Sequence, residues 1–160
     1  MIQLINSALL DEVCAEAAAS LRRRKNRNFH TRDDQPGHRL LNAMQTDSYI
    51  PPHRHLDPDK AETMVMLRGA MAVLEFDDNG KLIYVSRVGA GMTADCVGIG
   101  VDIPSGVWHT VIALEPNTVF LEAKAGPYLP LTADEKATWA PSENDAGAPE
   151  YFAELKAALR

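Results

Sequence analysis

Thiols are scarce in this chain: Cys14 and Cys96 are the only cysteines in 160 residues. They form neither the paired framework of a small secreted domain nor a C-x-x-C redox element, which excludes a disulfide scaffold and points to a reducing cytoplasm. No run of about 18 apolar residues exists to span a bilayer. The N-terminus also lacks a basic segment followed by an apolar stretch and a small-residue cleavage site, so neither secretion nor membrane insertion is expected. Positive charge is in deficit, with 16 Lys and Arg against 22 Asp and Glu and a formal net charge of −6. That balance opposes the phosphate neutralisation behind most nucleic-acid affinity, and no nucleic-acid partner is expected. Internal repeats and low-complexity segments are absent as well.

What remains is ordinary globular material. Hydrophobic residues make up 46% and charged residues 24%, and the length suits one domain with a single core. The expected organisation is one domain over 1–160, with a helical extension at 1–36, a β core at 37–130 and a C-terminal extension with a helix at 131–160.

From Ser7 to Arg24 the apolar residues Leu10, Val13, Cys14, Ala17 and Leu21 recur at helical spacing, with Asn6 or Ser7 as cap. The basic run "RRRKNR", residues 22–27, then reads as a solvated helix end favoured by the macrodipole. Beyond Gly37 short apolar segments alternate with turn chemistry, the pattern of an all-β sandwich or barrel. Strands are expected at 38–45, 49–55, 62–68, 70–76, 81–88, 92–96, 108–114 and 118–125. Asn79 and Gly80 mark a hairpin pairing 70–76 with 81–88. A polar connection with a short helical turn near "ADEKATW" follows, and then a helix from Pro149 with Phe152, Leu155 and Leu159 on one face.

The stretch "PPHRHLDPDKAETMVMLRG" carries the chemistry. On an extended strand His53 and His55 project from one face, as two imidazoles meeting one cation must. Glu62, Met64 and Met66 form one alternating set on the next strand, and Thr63, Val65 and Leu67 form the other. In "GIGVDIPSGVWHTVIA" the turn at Pro104 and Gly106 delivers His109 onto a strand face shared with Val107 and Val111, with Trp108 opposite. Parity adds Tyr49, on the face of His53, together with Met64, Glu122 and Lys124 as candidate pocket-lining residues. Met64 reads as floor rather than ligand, and Glu122 and Lys124 as either a substrate-orienting couple or a surface pair. His30 and His38, before the core, read as exposed.

These residues resemble the cupins, whose two motifs are G-x5-H-x-H-x3,4-E-x6-G and G-x5-P-x-G-x2-H-x3-N. The first is met at His53, His55, Glu62 and Gly69, and the second at Gly98, Pro104, Gly106 and His109. "PPHRH", "FDDNG", "IPSGVWHTVIALEP", "AKAGPY", "NRNFH" and the "WAPSENDAGAPEYFAEL" tail resemble the WbuC-type cupin fold metalloproteins in particular. Two departures stand out: "LDPDKA" lengthens the spacer between His55 and Glu62, leaving Asp57 or Asp59 as rival carboxylates, and Ala113 replaces the terminal asparagine of the second motif.

The resemblance implies a small jelly-roll sandwich with flanking N- and C-terminal helices. It also implies one divalent transition ion per chain (Fe, Mn, Ni, Co or Zn) held by His53, His55, Glu62 and His109. Such a set leaves one or two coordination positions open, which suits isomerase, lyase or dioxygenase chemistry without choosing among them. WbuC-type proteins imply a sugar or sugar nucleotide as small-molecule partner, in surface-polysaccharide metabolism. A non-catalytic sugar- or anion-binding module and a metal-free, epimerase-like cupin are the alternatives. A homodimer is expected from sheet edges and added helices.

Overall fold

The structure is a computed structural model and describes residues 2–91, 93 and 95–159. In chain order the elements are α1 (Ser7–Ala19), β1 (Arg24–Asn28), β2 (Gly37–Met44), β3 (Glu62–Arg68), β4 (Ala70–Phe76), β5 (Leu82–Gly89), β6 (Gly100–Ile103), β7 (Trp108–Ala113), β8 (Thr118–Ala125), a 3-10 turn (Ala133–Glu135) and α2 (Ala148–Ala157). Two antiparallel sheets, ordered β1-β2-β8-β3-β6 and β5-β4-β7, face each other. With one helix outside each sheet, this is the small cupin jelly-roll sandwich that the sequence motifs imply.

Period-two alternation decides which side chains fill the interior. Met44 of β2, Met64 and Met66 of β3, Met71 and Val73 of β4, Val111 and Ala113 of β7 and Phe120 of β8 meet between the sheets. The odd-parity residues Leu41, Ala43 and Val119 face outward and are covered by Leu9, Leu10, Val13, Cys14 and Ala17 of α1. On the other side Phe152 and Leu155 of α2, with Leu159, cover Leu74, Phe76, Trp108 and Ile112. Both expected helical stripes are therefore sheet covers.

The hairpin pairs β4 with β5. Gly80 takes a left-handed φ of 83°, and Asp77 Oδ1 accepts the N–H groups of Asn79 and Lys81 at 2.9 Å each. A Cβ at Gly80 would also strike the Trp139 ring.

Four expectations need correction. α1 stops at Ala19 rather than Arg24, capped at its start by Asn6, and Leu21 is fully exposed. From Arg24 onward the basic run instead forms β1 in register with β2, because sheet pairing outweighs the helical preference of lysine and arginine. The segment 1–36 is thus not purely helical. Residues 49–55 are not a strand, since Pro51 and Pro52 supply no ladder donors, and only His53 makes bridges, to His109 and Lys136. Of the strand expected at 92–96, Met92 and Ala94 lie outside the described residues, while Thr93 and Cys96 close a turn. The short strand β6 (Gly100–Ile103), on the edge of the larger sheet beside β3, was not expected.

Candidate metal centre

Three chain segments deliver the candidate ligands to one end of the sandwich. His53 and His109 exchange backbone hydrogen bonds, N–H to O at 3.0 and 2.9 Å, which locks the Pro51–Pro52 segment against β7. Gly106, at φ 86°, makes the turn into β7, and its N–H donates to the His55 carbonyl at 2.6 Å. Glu62 opens β3 with Lys124 of β8 directly opposite in register.

The Glu62 carboxylate, 3% exposed, is the hub. Its Oε1 lies 3.1 Å from His55 Nε2 and 2.9 Å from Lys124 Nζ, and its Oε2 lies 3.2 Å from His109 Nε2. His53, Glu62 and His109 each present a donor atom, all within 4.8 Å of one another. The His53 ring centroid is 4.6 Å from that of His109 and 5.4 Å from that of His55.

Hydrogen bonding fixes the orientation of two imidazoles. His53 Nδ1 sits 3.1 Å from the Pro51 carbonyl and His109 Nδ1 sits 2.9 Å from the Val107 carbonyl. A carbonyl oxygen only accepts, so each Nδ1 carries a proton and each Nε2 is left for the centre, the arrangement of ligating histidines. His109 then faces an acceptor at both nitrogens, which a neutral imidazole cannot satisfy. A cation, either a proton or a metal ion, has to lie between His109 Nε2 and Glu62.

His53 and Glu62 are both held in their deprotonated forms. Burial, helped by the neighbouring His109, pushes the His53 imidazolium down to about 3. Burial alone would raise Glu62, but hydrogen bonds from His109 and His55 and the Lys124 charge outweigh it and hold its carboxyl far below the usual range. Imidazole nitrogens with a carboxylate suit a divalent transition ion. Bonds of about 2.0–2.2 Å place two donors on one ion at most about 4.4 Å apart, so the observed spread fits after shifts of a few tenths of an ångström. Of the four sequence candidates, His53, Glu62 and His109 form the group that could hold it, and His55 stands beside them with its Nε2 3.1 Å from Glu62 Oε1.

The remaining sequence candidates divide. Met64, Glu122 and Lys124 line the inner cavity, about 220 Å³, beside His53, Glu62 and His109. Lys124 Nζ lies 2.6 Å from Glu122 Oε1 in an ion pair outside hydrogen-bond angles, and Asn42 donates to Glu122 Oε2 at 2.6 Å. Burial pushes the Glu122 carboxyl up, against the Lys124 charge. Burial opposes the Lys124 charge in turn, yet Glu122 and Glu62 hold its ammonium above the usual range.

Tyr49 is a correction. Its hydroxyl donates to the Pro141 carbonyl at 2.8 Å, and its ring packs on Phe152, 5.6 Å between centroids. The parity argument failed there because the two prolines break the strand. Tyr49→Phe should therefore cost about 1 kcal/mol of stability and leave metal content unchanged, read by thermal melting beside elemental analysis. Asp57 and Asp59 are exposed, and Asp57 Oδ1 accepts the Asp59 N–H, so Glu62 is the carboxylate at the cluster. His30 and His38 are buried, not exposed, and their rings stack at 3.9 Å.

An outer cavity of about 510 Å³ opens beside the cluster and is lined by His53, His55, Lys60, Lys124, Tyr128 and Glu135, among others. Sequence reasoning missed Asn42, Lys60 and Glu135. Asn42 sits on the inward parity of β2, a signal that was present, whereas Lys60 sits in a loop and Glu135 ends the short 3-10 turn, neither long enough to show a period.

The His53 shift also sets a pH dependence. The folded state keeps His53 neutral, whereas the unfolded chain takes up the proton near pH 6.5. Stability of metal-stripped protein should thus be full above about pH 6.5 and fall as pH drops toward the folded value. The His53 share is at most about 1.4 kcal/mol per pH unit. Denaturant titrations across that window should give a shallower slope for His53→Gln than for the natural chain.

The family described as Domain of unknown function (DUF6016) matches residues 5–88. No curated protein matches the chain. Among solved structures, the conserved SPY1581 protein of unknown function from Streptococcus pyogenes superposes with a TM-score of 0.51 at 14% identity, covering 81% of this chain and 91% of that one. KdgF from Halomonas sp. gives 0.48 at 17%, covering 67% and 81%. The Lactobacillus farciminis oxalate decarboxylase formate complex gives 0.48 at 20%, covering 65% of this chain and only 28% of that enzyme. At these identities a likeness speaks to fold alone.

Proposed function

We propose that this chain, which belongs to the family described as Domain of unknown function (DUF6016), is a metal-dependent cupin of WbuC type, with residues 1–160 acting as one domain. It holds one divalent transition ion, Fe, Mn, Ni, Co or Zn, through His53, His55, Glu62 and His109. The observation that carries this reading is His109, pinned at Nδ1 by the Val107 carbonyl while its Nε2 meets the Glu62 carboxylate. The bound ion supplies Lewis-acid or redox chemistry.

The chain's own residues shape what reaches it. Buried Glu62 and His109 and the methionine floor restrict water on the inner side, and Lys124, paired with Glu62 and Glu122, stands at the junction of the inner and outer cavities. The substrate in this reading is a small polar, carbohydrate-derived molecule, a sugar or sugar nucleotide, and the reaction is an isomerisation, elimination or dioxygenation. A reducing cytoplasm agrees with two free, buried cysteines, and among the described residues no helix is long and apolar enough to cross a membrane. A homodimer is supported by Ile83 and Tyr84, 53% and 63% exposed, on the edge strand β5.

Metal-loaded protein incubated with sugar-nucleotide pools, followed by mass and stereochemical analysis, tests the reading. Turnover that disappears in Glu62→Gln supports an enzyme. Saturable binding with unchanged ligand shows a sugar- or anion-binding module instead. The same His109–Glu62 contact, at 3.2 Å, also fits a protonated imidazole, which gives a second reading: the acid–base pair of a metal-free, epimerase-like cupin. Activity that survives exhaustive chelation would select it.

A further inference from the structure

The spacer between His55 and Glu62 is longer than the general cupin pattern, and the metal ligands do not account for what it carries. Asp57 organises it as a tight turn: its carbonyl accepts the Lys60 N–H at 3.0 Å and its Oδ1 accepts the Asp59 N–H at 3.0 Å. The turn swings Lys60 inward, to 9% exposure, onto the wall of the outer cavity with His53, His55 and Lys124.

A lysine this buried normally faces a carboxylate. Among the described residues Lys60 makes no ion pair, and its Nζ contact is the neutral Pro127 carbonyl at 2.6 Å. The ammonium has three protons to donate. The acids on the same wall are already engaged. Glu135 Oε1 takes the Leu56 N–H, and its Oε2 takes the N–H and hydroxyl of Thr132. Those backbone donors hold its carboxyl down to about 2. Asp57 is exposed and spends Oδ1 on the turn. The unspent capacity of the cavity is therefore donor capacity, with positive charge, beside an apolar wall of Leu129, Pro130 and Leu131.

We propose that Lys60 is a subsite for a second oxyanion, a carboxylate or a phosphate, on a small substrate whose other end reaches the His53–His55–Glu62–His109 centre. This rests on that centre being the metal site argued above. The carbon skeleton lies along the proline- and leucine-lined wall, and substrates lacking a remote anion are discriminated against.

Three probes share a 2-hydroxycarboxylate head and differ at the far end: glycerate is uncharged there, malate carries a carboxylate and 3-phosphoglycerate a phosphate. Calorimetric titration of metal-loaded protein at about 0.15 M ionic strength should show at least one of the two charged-tail probes binding about ten-fold or more tightly than glycerate. Which one gains identifies the anion. Lys60→Met should bring that probe within about two-fold of glycerate, leaving glycerate affinity and metal content unchanged, while Lys60→Arg keeps the preference. Thermal melting confirms that each variant is folded, and Lys60→Gln replaces Lys60→Met if the latter is not.

Equal affinity for all three probes, no binding of any at millimolar concentration, or a preference that survives loss of the Lys60 charge overturns the subsite. Elemental analysis of the same samples separates the two levels. Stoichiometric metal without a remote-anion preference removes the subsite alone, whereas protein that takes up no metal removes the metal reading and the subsite with it.

Discussion

Replacing His109 by alanine should lower bound metal from near one ion per chain to below about a tenth of that, measured on protein purified without chelator. Loss of a ligand exceeds the ten- to hundred-fold cost typical of altering a ligand's supporting partner, roughly two decades at most. The effect is local because the backbone bonds of β7 do not involve the ring. His109 exchanges main-chain bonds with His53, and β7 keeps its register with β4, where Glu75 lies opposite position 109. The ring is 3% exposed, so no outside group can swing in to replace its nitrogen. His53→Ala should behave in the same way, since its Nδ1 is likewise held by a carbonyl. Full metal content in both variants would place any bound ion elsewhere.

The second large effect concerns the support of the site rather than its donors. Leu74, fully buried on the outward face of β4, packs under α2 together with Phe152 and Leu155. Leu74→Ala removes that packing and leaves a cavity, costing about 2–5 kcal/mol. For a chain of this size each kcal/mol corresponds to roughly 2–4 °C, so the melting temperature should drop by about 4–20 °C. Metal content at 20–25 °C should nevertheless stay near stoichiometric, because Leu74 faces away from the sheet interface where the candidate ligands meet. Parallel loss of stability and metal would mean that α2 docking shapes the site itself.

The inward set was readable from parity wherever a strand is regular. Glu62, Met64 and Met66 on β3, and Phe120, Glu122 and Lys124 on β8, face the interior because a pleated strand alternates and one sheet face is buried. His109 faces inward and Trp108 outward for the same reason. Parity failed at Tyr49, where two prolines interrupt the strand and the chain turns toward α2. Motif spacing and the family resemblance together brought forward His53, His55, Glu62 and His109; the structure brings donor atoms of His53 and His109 together with the Glu62 carboxylate and sets His55 Nε2 3.1 Å from it.

Tertiary pairing overrode local preference in the basic run. Read alone, "RRRKNR" is a good helix end, yet from Arg24 onward, as β1, it gains a full ladder with β2. Its Arg24 ends in a two-pronged contact with Glu143, at 2.7 and 2.9 Å, across a sequence distance that no local pattern encodes. Lys60 was invisible for a related reason. Its inward swing depends on the Asp57 turn and the Pro127 carbonyl, and loops carry no hydrophobic period from which burial can be read. The stacked, buried pair of His30 and His38 likewise depends on a loop folding back over β2.

Elemental analysis of the natural chain, grown with a full complement of trace metals and purified without chelator, tests the central claim most directly. The account predicts close to one divalent transition ion per chain, removable by chelation and restored on adding metal back. Protein that emerges and remains metal-free, with its fold and stability unaffected by added ions, would contradict it.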